Sequence, residues 1–386
     1  FRKYGPLAFL PLSKTKTSIV FSVVNNYKLS EAQINNLIKQ YNLNYKIMKI
    51  GKIDTHKKVF VVAEIGNNHE GDFDLAKHLI QLALECGADA VKFQTIVPDR
   101  LVSIEEEARI QQLKGFQFSR NQFELLHRHT MERGMQFLST PFDLGSVQWL
   151  DALVPAFKIA SGDNDFWPLI DEVVKTGKPI IVSLGLGQTS MTEEIMRKVS
   201  GNAKIHGVPH PEIAFLHCVA SYPTPSDEAS LGSIRKLSSK GLTVGYSDHT
   251  LGIKAAELAV AAGARIIEKH FTLDKQHSDF RDHELSSDPS ELKALIDSIR
   301  NIEKMFAAGK TEIQPCEKDN EKALRRSVAA NKDLSVGSLV ERKDLCWLRP
   351  RVGFKPGEEG LIEGKILRKS ISKGEAFSLR AVFTYL

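Results

Sequence analysis

Residues that do chemistry recur in this sequence at one kind of position, where a short apolar run ends. Glu64 closes KVFVVAE, Lys92 and Gln94 stand in AVKFQ, and Lys158 and Ser161 in AFKIAS. Ser183 closes PIIVS, Ser247 leads into Asp248 and His249, and RIIEKH carries Glu268 and His270. Ser139 with Thr140 and His217 complete the set. A lysine inside an apolar run is costly unless it meets an anion. Two of them, with Ser161, Ser183 and Ser247, suit a phosphate plus a carboxylate. Internal salt bridges to Glu64 and Glu268 are the plain alternative. A Schiff-base lysine is a third, less economical because one bound anion accounts for both lysines. His249 and His270 end consecutive runs, so two neutral imidazoles near carboxylates can form an open divalent-metal site; a hydrogen-bonded structural pair is the competing reading. His217, inside FLHCV, reads as structural. His69, in NNHEG, either steadies its loop or is solvated.

Such residues need a scaffold that aims them at one place. Apolar runs at 58–64, 90–94, 136–140, 156–161, 179–183, 212–217, 242–247 and 265–270 alternate with helical patterns such as 75–85, 122–133, 192–199 and 254–262. Eight strand–helix units in about 250 residues is the count and length of an α/β (β/α)8 TIM barrel, whose chemistry sits at the C-terminal ends of the strands. The runs are nearly all apolar, as strands covered on both faces must be. An open doubly wound sheet usually needs fewer units, and no GxGxxG follows the first run. The barrel is expected over 58–308, with 289–308 as its closing helix and Pro289 in the first turn. Residues 309–324, charged and without period, read as a linker. Residues 325–386, with short runs and many turns, read as a small β-rich domain with a thin core that must dock on something.

Composition narrows the class. With 42 % apolar and 26 % charged residues the chain is globular, and no run approaches the roughly 18 apolar residues of a membrane span. The net charge of +5 is unevenly placed: residues 1–55 carry nine Lys/Arg against Glu31 and Asp54, so the remainder is slightly acidic. Neither a nucleic-acid partner nor a membrane is expected. The four cysteines are scattered, without CxxC pairs, which fits a reducing compartment; without an export pattern at the N-terminus, the expected location is cytoplasmic. Residues 1–57 form an N-terminal extension of unknown role, with a strand-like SIVFSVV and a helix-like LSEAQINNLIKQY. Its GPLAFLPLSKTKTSIVFSV faintly resembles the substrate-domain sheet of ubiquinone-type flavin monooxygenases, but no dinucleotide fingerprint accompanies it.

EIGNNHEGD at 64–72, VKFQT at 91–95, FLSTPFD at 137–143, FKIASGD at 157–163, HCVASYPTP at 217–225, GYSDHT at 245–250 and EKHFTLDK at 268–275 resemble, in order, the motifs of the sialic acid synthase family. RRSVAANKDLSVGSLV and WLRP resemble the antifreeze-like (SAF) module that follows the barrel in that family. The resemblance implies condensation of phosphoenolpyruvate with an open-chain N-acyl hexosamine, typically N-acetylmannosamine, to a nine-carbon 2-keto acid and phosphate, with Mn2+ or Mg2+ as cofactor. It implies that Lys92, Lys158, Ser161, Ser183 and Ser247 hold phosphoenolpyruvate and that His249 and His270 ligate the metal. Gln94, Asp163, Tyr222, Glu268 and Asp282 then lie near the sugar. The same resemblance implies that Arg349 reaches the N-acyl group from the other subunit of a domain-swapped homodimer. Glu64 or Asp282 is expected to manage protons in catalysis.

This chain departs from the family pattern at several points, expected mainly on the sugar side. Ala220 stands where Asn is frequent, Leu184 where Thr is, and Asp163 is a shorter acid than usual. Arg351-Val352 replaces a glycine-rich turn, and Phe280-Arg281 falls where a Pro-Gly-Pro-type turn is common. A legionaminic- or pseudaminic-type acceptor therefore stays open. Competing readings are a phosphoenolpyruvate aldolase for sugar phosphates, which needs a second phosphate site that the sequence does not display, and a non-catalytic carbohydrate-binding barrel, which predicts gaps in the set of rim residues.

Overall fold

The computed structural model describes residues 7–11, 17–21, 48–187, 190–306 and 312–379, and the chain falls into two compact units, Phe1–Phe306 and Ala307–Leu386. In the first unit eight parallel strands form the sheet: β1 (Phe60–Gly66), β2 (Ala90–Thr95), β3 (Gln136–Pro141), β4 (Phe157–Ile159), β5 (Ile180–Ser183), β6 (Ile213–His217), β7 (Thr243–Asp248) and β8 (Ile266–His270). Their order is β3-β2-β1-β8-β7-β6-β5-β4, and β3 and β4 lie side by side, so the sheet curls into a nearly closed barrel. Helices intervene, among them Phe73–Cys86, Arg120–Met131, Met191–His206 and Lys254–Ala261. Pro289–Met305 closes the ring, with Asp288 accepting from the Glu291 N–H as its cap.

Alternation along the strands decides what faces where. Val61, Val91, Phe137, Phe157, Val182, Phe215, Val244 and Ile267 point outward into the helix layer. Phe60, Val62, Ala90, Leu138, Ala156, Ile181, Leu216 and Ile266 point inward and fill the floor. Two residues further along each strand the same inward parity brings up Glu64, Lys92, Thr140, Lys158, Ser183 and Glu268: an apolar floor supports a polar layer. Gly245 permits this packing, because a Cβ there would run into the Ile266 carbonyl and the Leu216 side chain.

The barrel begins earlier than residue 58. A hairpin, Lys49–Ile50 with Ile53–Asp54, turns at Gly51 (φ +59°) and inserts Met48 and Ile50, both fully buried, among the floor residues. Two-residue strands carry no period, so the plug left no pattern in the sequence. Ile50→Ala is expected to cost roughly 3 kcal/mol of unfolding free energy, read as a lower denaturant midpoint; an unshifted midpoint would show that the plug does not support the barrel. Further upstream, Leu7–Pro11 pairs antiparallel with Thr17–Phe21. The helix expected over 29–41 lies outside the described residues.

In the second unit, Ser327–Ala330 pairs antiparallel with Leu345–Leu348 over a small core that includes Val328, Val340, Ile362, Leu367 and Phe377. The stretch read as a linker is partly helical, over Lys318–Leu324 after a short turn begun by Gln314 and Pro315. None of its residues is buried, so no apolar stripe announced it. Its Lys322 carbonyl accepts the Arg351 N–H at 2.8 Å, so this segment is built into the second unit.

Candidate active site

The polar layer is a network of two ammoniums and two carboxylates drawn from four strands. Lys92 Nζ lies 2.7 Å from Glu64 Oε2 and 3.7 Å from Glu268 Oε2, and donates to Thr140 Oγ1 at 3.0 Å. Lys158 Nζ lies 3.6 Å from Glu268 Oε1 and donates to its neighbour's carbonyl, Ile159 O, at 3.3 Å. Ser247 Oγ donates to Glu268 Oε1 at 2.8 Å, and Gln94, held by Asn67, donates to Glu64 Oε1 at 3.4 Å. Both lysines and both glutamates are buried. The internal salt bridges weighed as an alternative are thus present, and they use the same lysines that suit an anion. The network is neutral when both acids are ionised, and gains a positive charge when one takes a proton.

Glu64 is placed to take it. Burial pushes its carboxyl up to about 7; Lys92 opposes the shift and Glu268 adds to it. Burial acts on Glu268 too, but Lys158 and Lys92 outweigh it and hold that carboxyl below its ordinary range. Lys92 is pulled down by burial and carried above its usual value by Glu268 and Glu64. Lys158 stays below, since burial exceeds what Glu268 restores and Lys92 repels it. For Glu64 the folded state keeps a proton that the unfolded chain releases between about 4.5 and 7. Stability conferred by that proton is therefore lost as pH rises through this window. The stability difference between wild type and Glu64→Gln is expected to fall by a few kcal/mol, on the order of 1.4 per unit, from pH 4.5 to 7. Parallel stability curves for the two proteins would contradict this.

The ends of β4 to β6 add uncharged donors. Ser183 Oγ is buried without a hydrogen-bond partner among the described residues. Ser161 and Asp163 follow β4 in a short turn. Burial, with Asp165 nearby, pushes the Asp163 carboxyl up to about 6 against Lys158. Cys218 continues the inward parity of Leu216. Its Sγ accepts the Gly185 N–H at 3.2 Å, and a Cβ on Gly185 would meet both that sulfur and Ser161. The signal for Cys218 was its parity on the strand.

His249 and His270 stand together, ring centroids 5.5 Å apart, with Tyr222 4.2 Å from His249 and 6.2 Å from His270. His249 Nδ1 bonds the Val219 carbonyl at 2.7 Å, which puts the proton on that nitrogen and leaves Nε2 a lone pair. His270 Nδ1 is buried with no partner among the described residues. Burial holds both rings neutral, with His249 lowering His270 further. Each neutral ring keeps one lone pair, which fits an open divalent site; among the described residues no third His, Cys, Asp or Glu joins them as a metal cluster.

Other rim residues go elsewhere. Asp248 has the opposite parity to Ser247. Its carboxylate accepts from the Thr250 N–H and hydroxyl at 2.8 Å and lies 3.1 Å from the fully buried Lys269, fixing the loop that aims His249. Ser139 likewise faces away and bonds Thr95. His217 Nε2 bonds Ala229 O and stacks on Tyr246, and His69 stacks on Phe118 with Nδ1 accepting the Gly71 N–H, as structural histidines do. Asp282 opens the short helix Asp282–Leu285 after β8 and lies 3.3 Å from Arg281 Nε; burial raises its carboxyl against Arg281. Arg349 lies in the second unit, exposed after Leu345–Leu348, on a loop braced by Ser327 Oγ bonds to Pro350, Val352 and Gly353.

A parallel barrel whose mouth carries a buried Lys–Glu network and a histidine pair belongs to the class of barrel enzymes. Residues 79–311 match the NeuB family and 325–379 the SAF domain; the chain belongs to the NeuB family. It is 36 % identical to N,N'-diacetyllegionaminic acid synthase of Campylobacter jejuni, over 83 % of this chain and 98 % of that protein. It is 34 % identical to pseudaminic acid synthase of the same species, over 85 % of this chain and 98 % of that protein. The crystal structure of N-acetylneuraminic acid synthetase from Leptospira borgpetersenii superposes with a TM-score of 0.65 at 33 % identity, covering 72 % of this chain and 95 % of that one.

Proposed function

We propose that this protein condenses phosphoenolpyruvate with an open-chain N-acyl hexosamine to give a nine-carbon 2-keto acid and phosphate. The observation that carries the reading is the buried pair Lys92 and Lys158 above a sealed apolar floor, flanked by the unpartnered Ser183 hydroxyl. The lysines, with Ser161, Ser183 and Ser247, hold the phosphate and carboxylate of phosphoenolpyruvate. His249 and His270 would hold Mn2+ or Mg2+, which supplies Lewis acidity toward the sugar aldehyde. Gln94, Asp163, Tyr222 and Glu268 line the sugar's side.

The enol carbon attacks the aldehyde carbon, forming the C–C bond and leaving a cation-like centre beside the phosphate oxygen. Glu64, with a carboxyl that titrates near 7, accepts a proton from the water that adds to this centre. The tetrahedral adduct then breaks its C–O bond, releasing phosphate and the keto acid. Asp282 delivers the proton to the new alkoxide. The working form is a domain-swapped homodimer, acting in the cytoplasm, in which a second copy's SAF unit brings Arg349 to the N-acyl group. No described helix is long and apolar enough to cross a membrane.

A diacylated, legionaminic- or pseudaminic-type acceptor is favoured as a second reading by the names of the two Campylobacter relatives. The test is phosphate release from phosphoenolpyruvate and Mn2+ with a panel of open-chain N-acetyl- and diacetamido-hexoses. Sugar-dependent phosphate with one of them is expected; none with any would overturn the reaction.

A further inference from the structure

We propose that Glu70 and His283 form a clasp between the loops after β1 and β8, and that its task is to position Asp282 at the mouth of the barrel. This rests on the condensation proposed above, in which Asp282 delivers a proton to the new alkoxide. The Asp282 carboxyl is buried. Its Oδ1 makes no hydrogen bond among the described residues, and its ion-pair partner, Arg281 Nε at 3.3 Å, belongs to an exposed side chain. Bonds to the carboxyl therefore do not fix where it points, and the backbone that carries it must.

That backbone has little core of its own to rest on. Over 273–279 every residue but Lys275 is exposed, and a stretch of this kind opens at little cost unless it is tied down. The loop after β1 supplies the ties. Glu70 Oε1 accepts from Ser278 Oγ at 2.5 Å and from His283 Nε2 at 2.9 Å, so one oxygen grips the chain on both sides of Asp282. The buried His283 ring is braced from behind, its Nδ1 bonding Thr272 Oγ1 at 2.6 Å just past the end of β8. Asn68 adds a second tie. Its amide donates to Phe271 O and to Ser286 Oγ, each at 2.9 Å, and Ser286 Oγ donates to the Asp282 carbonyl at 2.5 Å. Toward the mouth, Arg281 lies 4.9 Å over the Tyr222 ring, which stands 4.2 Å from His249. The clasped segment thus reaches the ring beside the histidine pair.

Glu70 bears a mark of this task. Its φ is +45°, in the left-handed region where a glutamate is strained and where a turn built only to reverse the chain takes glycine or asparagine. What glutamate supplies there and glycine cannot is the carboxylate that meets Ser278 and His283. Nothing in the sequence linked the pair, since they lie 213 residues apart and neither ends a strand.

The experiment follows wild type, Glu70→Ala, Glu70→Gln, Ser278→Ala, Asp282→Asn and the double variant Glu70→Ala/Asp282→Asn. It reads steady-state phosphate release with phosphoenolpyruvate, Mn2+ and the best acceptor of the panel above, and amide hydrogen exchange over 276–286. Glu70→Ala is expected to lower kcat on the order of 10- to 100-fold, to leave KM for phosphoenolpyruvate within about twofold, and to speed exchange. Ser278→Ala, which cuts one of the two bonds at an exposed residue, should show the same pattern in smaller measure. Glu70→Gln keeps an oxygen that accepts both bonds and should retain most of kcat and of the protection. In Asp282→Asn, further loss of Glu70 should cost no more than about twofold, because Glu70 acts through Asp282. Additive losses, Glu70→Gln as slow as Glu70→Ala, or slowed turnover with unchanged exchange would each overturn the proposal. If no sugar releases phosphate with wild type, the condensation itself fails. Exchange then decides on the clasp: faster in Glu70→Ala but not in Glu70→Gln sustains it, and no difference refutes it.

Discussion

Lys158→Met should fold and lose affinity for phosphoenolpyruvate. In the free protein this ammonium is poorly matched: its nearest carboxylate oxygen is 3.6 Å away and its hydrogen bond goes to an adjacent carbonyl at 3.3 Å. Removing it leaves Glu268 still paired with Lys92 and Ser247, which keeps the fold, while the loss of the first charge that offsets its burial lowers the melting temperature. The charge it offers an incoming anion is correspondingly unspent. A buried ion pair that loses one partner gives up about 3–5 kcal/mol, so kcat/KM for phosphoenolpyruvate should fall roughly 10^3-fold. Lys92→Met makes the opposite contrast. It strands Glu64 and Glu268 beside one another, and should destabilise the fold more at pH 8 than at pH 6, because acid neutralises Glu64. Calorimetry with phosphoenolpyruvate checks the first variant; an affinity within a factor of about three of wild type would leave Lys158 with only a structural role.

His270→Ala should abolish the Mn2+ binding proposed for the histidine pair. The two neutral rings offer one lone pair each, so loss of one should weaken Mn2+ binding at least about 100-fold, more than outer-shell changes do. The measurement is the rise in melting temperature on adding Mn2+ to wild type, absent in His270→Ala and in His249→Ala. His217→Asn, in a residue tied to Ala229 and Tyr246, should retain it. A Mn2+ response that survives in His270→Ala would make the pair structural.

Most of the barrel was legible because each strand is an unbroken apolar run and its polar terminus marks the mouth. Direction was harder to read. Ser247 and Asp248 are neighbours, yet the pleat sends one to Glu268 and the other to Lys269. Counting alternate residues up from the floor separates them, and would have promoted Cys218 as well. The contacts that had no local signal are tertiary. The plug of Met48 and Ile50 comes from strands of two residues, and the helix Lys318–Leu324 buries no side chain. Arg281 over Tyr222 joins loops after different strands, and neither residue's neighbours in sequence encode the other.

The sealed floor has a kinetic corollary. A barrel stoppered at its base by Met48 and Ile50 is a well with one mouth, and in the condensation proposed above whatever reaches the lysines at its depth would pass the place proposed for the sugar. Loading is then expected in order, with the three-carbon acid first and the sugar second, as a lid over it. Unloading runs in reverse: the long keto acid leaves before phosphate can follow. Turnover in such a vessel is paced by traffic through a single opening, and free phosphate competes for the bottom of the well.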